Sequence, residues 1–205
     1  MRYLQISNRL FKELLLTNRI PFGEIHQTKK NAVFLSIYTD EIAPWKYFND
    51  DIKHTRCPAV IMIDRWDGRM GFPGGTLEKG EPLLDALVRE IKEEVGIRVR
   101  PEKVQGVVSH EDEKFVTHLY ALKVNELEFL HIYYHILNNF SRSILNHAYE
   151  EADESHFMSE ITGIKIVPIF QHKNKGINKF LENSFAGSCK TDFEIFMKEI
   201  LKISL

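Results

Sequence analysis

A chain of 205 residues with 43% hydrophobic residues is long enough for one well-packed domain and short for two. Its formal net charge of −2 gives no global attraction to nucleic acid, so any RNA contact has to come from a local basic patch. The two cysteines, Cys57 and Cys189, fit buried or free thiols in a reducing compartment better than a disulfide framework or a zinc site.

The N-terminal residues MRYLQISNRLFKELLLTNR lack the long apolar run of a signal peptide, and no stretch of the chain is apolar enough to span a bilayer. An intracellular, soluble protein with no membrane partner is expected. Residues 7–17 (SNRLFKELLLT) open on a cap-competent Ser7 and carry an apolar stripe, which predicts a short helix. Residues 31–39 (NAVFLSIYT) and 57–64 (CPAVIMID) are β-branched and aromatic enough for strands, the second largely buried. Asp67-Gly68 is a strong turn signal that returns the chain into 70–72. A helix follows with Leu84, Leu87, Val88, Ile91 and Val95 as its buried stripe, and Gly96 is expected as its left-handed C-cap. Strands are predicted over 104–109 and 115–124, around an acidic turn of Glu111, Asp112 and Glu113, and a helix over 125–150. The last strand is placed at 163–170 (GIKIVPIF) and a C-terminal helix at 181–205, with Phe193, Phe196, Met197, Ile200 and Leu201 inward. Mixed strands with helices on both sides imply an α/β sandwich.

Residues 75–97 carry the chemistry. Glu90, Glu93 and Glu94 sit at i, i+3 and i+4, so on a helix they share one face. Like charges crowded there repel unless something positive sits among them, and a hard divalent cation such as Mg²⁺ or Mn²⁺ is the natural counter-charge. An acid-rich helix is more often a solvated face, but here the acids are framed by Gly74-Gly75 before the helix and Gly96 after it. Arg89 and Glu81 read as a structural ion pair that clamps the loop onto the helix start.

The segment GTLEKGEPLLDALVREIKEEVGI resembles the Nudix box: Gly75, five residues, Glu81, seven residues, then Arg89-Glu90-Ile91, any residue, Glu93-Glu94, any residue, Gly96-Ile97. Every specified position is filled. The resemblance implies a single Nudix hydrolase domain over 1–205 with the box at 75–97. It implies an α/β/α sandwich with a mixed sheet and a catalytic loop-helix-loop. RWDGRMGFPGG (65–75), SHEDEKFVTHLYAL (109–122) and FLENSFAGS (180–188) further resemble the snoRNA-decapping branch, whose members are also inosine diphosphate phosphatases.

By that resemblance the carbonyl of Gly74, with Glu90, Glu93, Glu94 and Glu160, holds metal, with Glu154 as a poorer alternative to Glu160. Glu93 or Glu90 takes a proton from the attacking water. Phe34, Arg65, Phe72 and Asp192 meet the purine nucleotide. Phe34 stands where the family presents a base-stacking histidine and Asp192 where it has a glutamine; a carboxylate accepts but does not donate, which favours a purine edge offering N–H groups. His110 and His118, on neighbouring strands, are candidates for touching ligand or metal, although lone histidines are more often ordinary polar residues. The basic run HKNKGINK (172–179), with Lys173, Lys175 and Lys179, is a candidate RNA contact, and Lys29-Lys30 is a weaker one.

The function these features imply is metal-dependent cleavage of a pyrophosphate bridge. The expected substrates are an RNA 5′ cap, (deoxy)inosine-type diphosphates, or both; ADP-ribose or another nucleoside diphosphate derivative is the alternative, and a non-catalytic RNA-binding adaptor the third reading. Family resemblance also implies a homodimer; in a eukaryote, a cytoplasmic or nuclear, including nucleolar, location is expected.

Overall fold

The structure, a computed structural model, describes residues 18–43, 56–149, 161–172 and 176–203, with residues 140–149 described as backbone only. The helix expected over 7–17 lies outside these residues. The strands are β1 (Asn18–Ile20), β2 (Lys30–Ile42), β3 (Cys57–Arg65), β4 (Met70–Gly71), β5 (Gly74–Thr76), β6 (Val104–Glu111), β7 (Phe115–Lys123), β8 (Ile161–Pro168) and the short β9 (Gln171–His172). The helices are α1 (Leu83–Val95), α2 (Glu126–Tyr149), α3 (Gly176–Phe180) and α4 (Cys189–Glu199).

An eight-stranded sheet runs in the order β1-β6-β7-β2-β3-β4, with β5 also on β2 and β8 also on β3. The β2–β7 pairing is parallel, from Lys30↔Phe115 to Tyr38↔Lys123, and β2 pairs antiparallel with β3 and β5, so the sheet is mixed. Along β2 the partner changes: Ala32–Phe34 face β5, and Ile37 to Ile42 face β3.

Period-two alternation sends each strand's side chains to opposite faces. Val33, Leu35 and Ile37 of β2 and Ala59, Ile61 and Ile63 of β3 join Leu87, Ile91 and Val95 of α1 and Phe129 and Ile136 of α2. The intervening Tyr38, Val60 and Met62 join Phe193, Phe196 and Met197 of α4. Helices thus cover both faces, the expected α/β/α sandwich. Burying each such Leu, Ile, Phe or Met contributes about 1.5–3 kcal/mol relative to exposure. Cys57 belongs to the first core and Cys189 to the second, and both are free and buried.

Local signals explain where the helices begin and end. Gly96 closes α1 in the left-handed region at φ 72°, its N–H donating to the Lys92 carbonyl. Asn125 and Glu128 open α2 reciprocally: the Glu128 N–H donates to Asn125 Oδ1 at 2.9 Å, and the Asn125 N–H donates to Glu128 Oε2 at 3.2 Å.

Three expectations need correcting. The inward stripe of α1 is Leu83, Leu87, Ile91 and Val95, at strict i+4 spacing from its start after Pro82, which leaves Leu84 exposed and Val88 half-buried. The strand placed at 163–170 begins two residues earlier, in register with β3, and ends at Pro168. The C-terminal helix is confined to Cys189–Glu199, because residues 184–186 give their backbone bonds to β4 instead: Met70 N–H donates to the Ser184 carbonyl and Ala186 N–H to the Met70 carbonyl, both at 2.9 Å. Ile200 and Leu201 still pack on the α4 core, just beyond the helix. No helix among the described residues is long and apolar enough to cross a membrane.

Candidate active site

A cavity of about 680 Å³ opens where β2 changes partners. Glu90, Glu93 and Glu94 line one side of it, together with Gly74 and Gly75. Phe34 from β2, Arg65 from the end of β3, Phe72 from the link between β4 and β5, and Asp192 from α4 line it too. The metal-side and purine-side residues expected from sequence are therefore neighbours in space, apart from Glu160 and Glu154, which lie outside the described residues.

Two glycines let α1 and β5 meet. A Cβ on Gly74, whose φ is 139°, falls 2.1 Å from the Val33 carbonyl oxygen across the β2–β5 pair. A Cβ on Gly75 falls 2.2 Å from Glu90 Oε2, so the bare backbone leaves that carboxylate its place. The Gly74 N–H donates to Glu94 Oε2 at 2.6 Å.

Arg89 organises the acids. Its Nε and Nη2 donate to the two Glu81 oxygens at 2.9 and 2.8 Å, and Nη2 also reaches the Thr76 carbonyl at 3.0 Å. This is the clamp between loop and helix expected from sequence. The same guanidinium extends further, since Nη1 donates to Glu90 Oε1 at 2.9 Å and to Glu93 Oε2 at 3.1 Å. Arg89 is thus a counter-charge within the acidic face as well as a clamp. Its hydrogen bonds hold Glu81 below the ordinary carboxylate range. Burial moves Glu90 the other way, raising its pKa against the pull of Arg89. The donor set is three hard carboxylates on one wall, one of them desolvated, and this chemistry fits a divalent cation. In the present side-chain arrangement no three acidic, imidazole or thiol groups among the described residues gather around one point.

Phe72 is a core residue, 3% exposed and edge-to-face on Phe193 at 5.9 Å, yet its ring also borders the cavity. Phe34 is half-buried and lies opposite Gly74 in the β2–β5 register. Arg65 Nε stands 3.6 Å from Asp67 Oδ1. Asp192 is buried with both oxygens engaged: His110 Nδ1 lies 2.5 Å from Oδ1, and Ser188 Oγ donates to Oδ2 at 2.7 Å. One acceptor site on each Asp192 oxygen is thus already taken by a neighbouring side chain, and the residue still lines the cavity.

The two histidines part company. His110 turns towards α4 and Asp192. His118 turns to the other face, fully buried, with Nδ1 2.8 Å from Ser109 Oγ and Phe22 edge-on at 6.3 Å. Burial, with some help from His26, lowers the His118 pKa to about 4, so it is a neutral core histidine. Lys173 and Lys175 lie outside the described residues, Lys179 pairs with Glu182, and Lys29 pairs with Glu111 and the Asp112 carbonyl. Two residues that sequence reasoning did not single out, Thr117 and Ser188, line the cavity beside Asp192. Their signal was only the SHEDEKFVTHLYAL and FLENSFAGS segments that contain them.

Comparison with known proteins agrees with this arrangement. The family described as Nudt16-like, U8 snoRNA-decapping enzyme-like, matches residues 31–201. The U8 snoRNA-decapping enzyme of Mus musculus is 32% identical over 140 residues, covering 64% of this chain and 64% of that protein. That of Xenopus laevis is 28% identical over 143 residues, covering 64% of this chain and 59% of its own length. The matched part thus spans less than two thirds of these relatives. A MutT/nudix family protein from Enterococcus faecalis superposes with a TM-score of 0.53 at 12% identity, covering 96% of this chain and 69% of that one, a likeness of fold. With the box filled at every position and the family match running through both flanking segments, the chain belongs to the Nudt16-like, U8 snoRNA-decapping enzyme-like family of the Nudix superfamily.

Proposed function

We propose that the protein is a metal-dependent pyrophosphohydrolase of the Nudix type, one domain over 1–205, acting on RNA 5′ caps and on (deoxy)inosine-type purine nucleoside diphosphates. The observation that carries this reading is one cavity lined both by the box acids Glu90, Glu93 and Glu94 and by Phe34, Arg65 and Phe72. The names of the decapping relatives support the capped-RNA side of it.

Nudix hydrolases in general use divalent metal ions, and Mg²⁺ or Mn²⁺ held by Glu90, Glu93, Glu94 and the Gly74 carbonyl, with Glu160, is the choice proposed here. Bound there, the ion supplies counter-charge for phosphate oxygens and makes a water more acidic. Pyrophosphate resists hydrolysis chiefly because its negative charge repels nucleophiles, so positioning and charge balance are what this chain must provide. Glu90 or Glu93 accepts the proton of the attacking water. Arg89 restrains both carboxylates. The Phe34 ring stacks on the base, and the Arg65 guanidinium meets phosphate or base edge with its planar fork. For capped RNA the products are a methylguanosine nucleotide and a 5′-phosphorylated RNA.

ADP-ribose-type pyrophosphates remain the second reading, since the box itself is indifferent to the attached group. An adaptor role without catalysis is disfavoured by the presence of all three acids. Homodimer formation, RNA contact near Lys173, Lys175 and Lys179, and a cytoplasmic or nucleolar location belong to the same proposal. Mass in solution, crosslinking and imaging test them in turn.

Incubation with Mg²⁺ or Mn²⁺ against capped RNA, IDP, GDP and ADP-ribose is the direct test. Turnover of IDP or capped RNA is expected, and turnover of ADP-ribose alone overturns the substrate reading. Glu93→Gln with Glu94→Gln is expected to abolish hydrolysis and spare the fold, because a glutamine carbonyl still accepts the Gly74 N–H. Retained activity sinks the metal-site assignment.

A further inference from the structure

We propose that Asp192 sets the purine preference of the cavity without touching the base, by fixing the direction of a hydroxyl chain through Ser188 to Thr117. The inference rests on the purine-nucleotide reading above. His110 and Thr117 are register partners on β6 and β7, so their side chains leave the sheet on the same face, beneath α4. That helix contributes Ser188 at its N-cap and Asp192 one turn later. His110, Ser188 and Asp192 are all buried, and Thr117 is half-buried. Thr117, Ser188 and Asp192 line the cavity that also holds Phe34 and Phe72.

The chain has one consistent direction. An ionised carboxylate only accepts. His110 Nδ1–H therefore donates to Oδ1, and the single Ser188 hydroxyl proton is committed to Oδ2. Thr117 Oγ1 stands 3.1 Å from Ser188 Oγ. Since Ser188 has no second proton, Thr117 must be the donor. Both hydroxyl protons then point along the chain towards Asp192, and what Thr117 turns to the cavity is lone pairs. The wall is an acceptor.

An acceptor wall distinguishes purines by the state of the ring nitrogen at their Watson–Crick edge. In 6-oxopurines (hypoxanthine, guanine, xanthine) that nitrogen carries a hydrogen and donates. In adenine it presents a lone pair, and two acceptors face each other. The carboxylate's preference for N–H groups thus reaches the ligand through two intervening hydroxyls. Asp192 and His110 are positioning residues, and Thr117 is the specificity contact.

The test compares binding of IMP and AMP to the full, metal-free chain by calorimetry, alongside kcat/KM for IDP and ADP with Mn²⁺. Wild type is expected to favour the inosine nucleotide. Thr117→Val removes the acceptor at constant shape and is expected to reduce that preference about tenfold, with Thr117→Ser restoring it. Asp192→Asn aims an N–H at Ser188 instead of a lone pair, so both hydroxyls reverse and the wall becomes a donor. Its preference is expected to shift towards adenine, which loss of packing alone does not produce. Thr117→Val, at a half-buried position, keeps the test open if the Asn variant does not fold. An unchanged inosine-to-adenine ratio in Thr117→Val, with IMP still bound, overturns this inference alone. Failure of every purine nucleotide to bind and turn over overturns the purine reading and this inference with it.

Discussion

The two walls of the cavity are both lined by polar groups, half-buried to exposed on one side and mostly buried on the other, and their charges are balanced differently. On the wall formed by β5 and α1, three carboxylates share the single guanidinium of Arg89, and Glu94 stands beside them on a backbone N–H. On the wall formed by β6, β7 and α4, one carboxylate meets one imidazole and the Ser188 hydroxyl, which in turn meets that of Thr117. The first wall carries more carboxylates than its one guanidinium can balance, and burial raises the pKa of the half-buried Glu90 within it. The second is closed on itself. A wall with unmet charge calls for a cation, whereas a closed network can only select by the pattern it shows.

Four changes test that contrast, beginning with the largest. Gly74→Ala is expected to cost about 3 kcal/mol or more, since it combines an unfavourable φ with a backbone collision that nothing nearby can relieve. Gly75→Ala meets only the end of the Glu90 side chain; it is expected to cost about 1 kcal/mol in a denaturant titration while displacing that carboxylate and suppressing turnover. Next, Arg89→Met leaves the acidic wall without its internal counter-charge. A loss of about 2–3 kcal/mol is expected, and millimolar Mg²⁺ is expected to raise the variant's Tm more than that of wild type. An equal response to Mg²⁺ in both proteins breaks the idea that cation and guanidinium answer the same charge. On the opposite wall, Ser188→Ala deprives Asp192 of a donor and is expected to cost about 1–2 kcal/mol, with no change in the response to Mg²⁺.

The smallest effect is in the pH profile. Glu81 has a folded pKa below its ordinary value of 4.5, so its contribution is complete above about pH 4.5 and is lost as the pH falls through the folded value. Glu90 has the opposite sign: its folded pKa is raised, and acidification relieves its burial penalty. Removing Arg89 deletes the Glu81 contribution and deepens the Glu90 penalty. Acidification from pH 7 towards 4 is therefore expected to narrow the Tm gap between Arg89→Met and wild type.

What the sequence disclosed follows the range of the interactions. The box helix, its glycine cap, the Glu81–Arg89 clamp and the β7 strand rest on spacings of a few residues and were legible directly. The stripe of α1 was misread at Leu84 because the rotation of a helix about its axis depends on where it starts, and Pro82 sets that start. The C-terminal helix was overextended because its first residues pair with Met70, more than a hundred positions earlier in the chain. The same distance hid the second wall. His110 and Asp192 are 82 positions apart, and only the sheet order and the seat of α4 bring them together. Arg89 reads from sequence as a clamp for Glu81; its i,i+4 spacing also allows the Glu93 contact, but that one guanidinium divides itself among three acids depends on the loop being folded against α1.

The placement of the two cysteines has a practical consequence. Cys189, the first residue of α4, borders the cavity, while Cys57 lies in the core on the other side of the sheet, and burial raises the pKa of both thiols. Each is silent to alkylation until its own layer opens. The molecule therefore carries two native reporters, and their relative labelling rates tell whether the cavity-lining layer breathes independently of the helices behind the sheet.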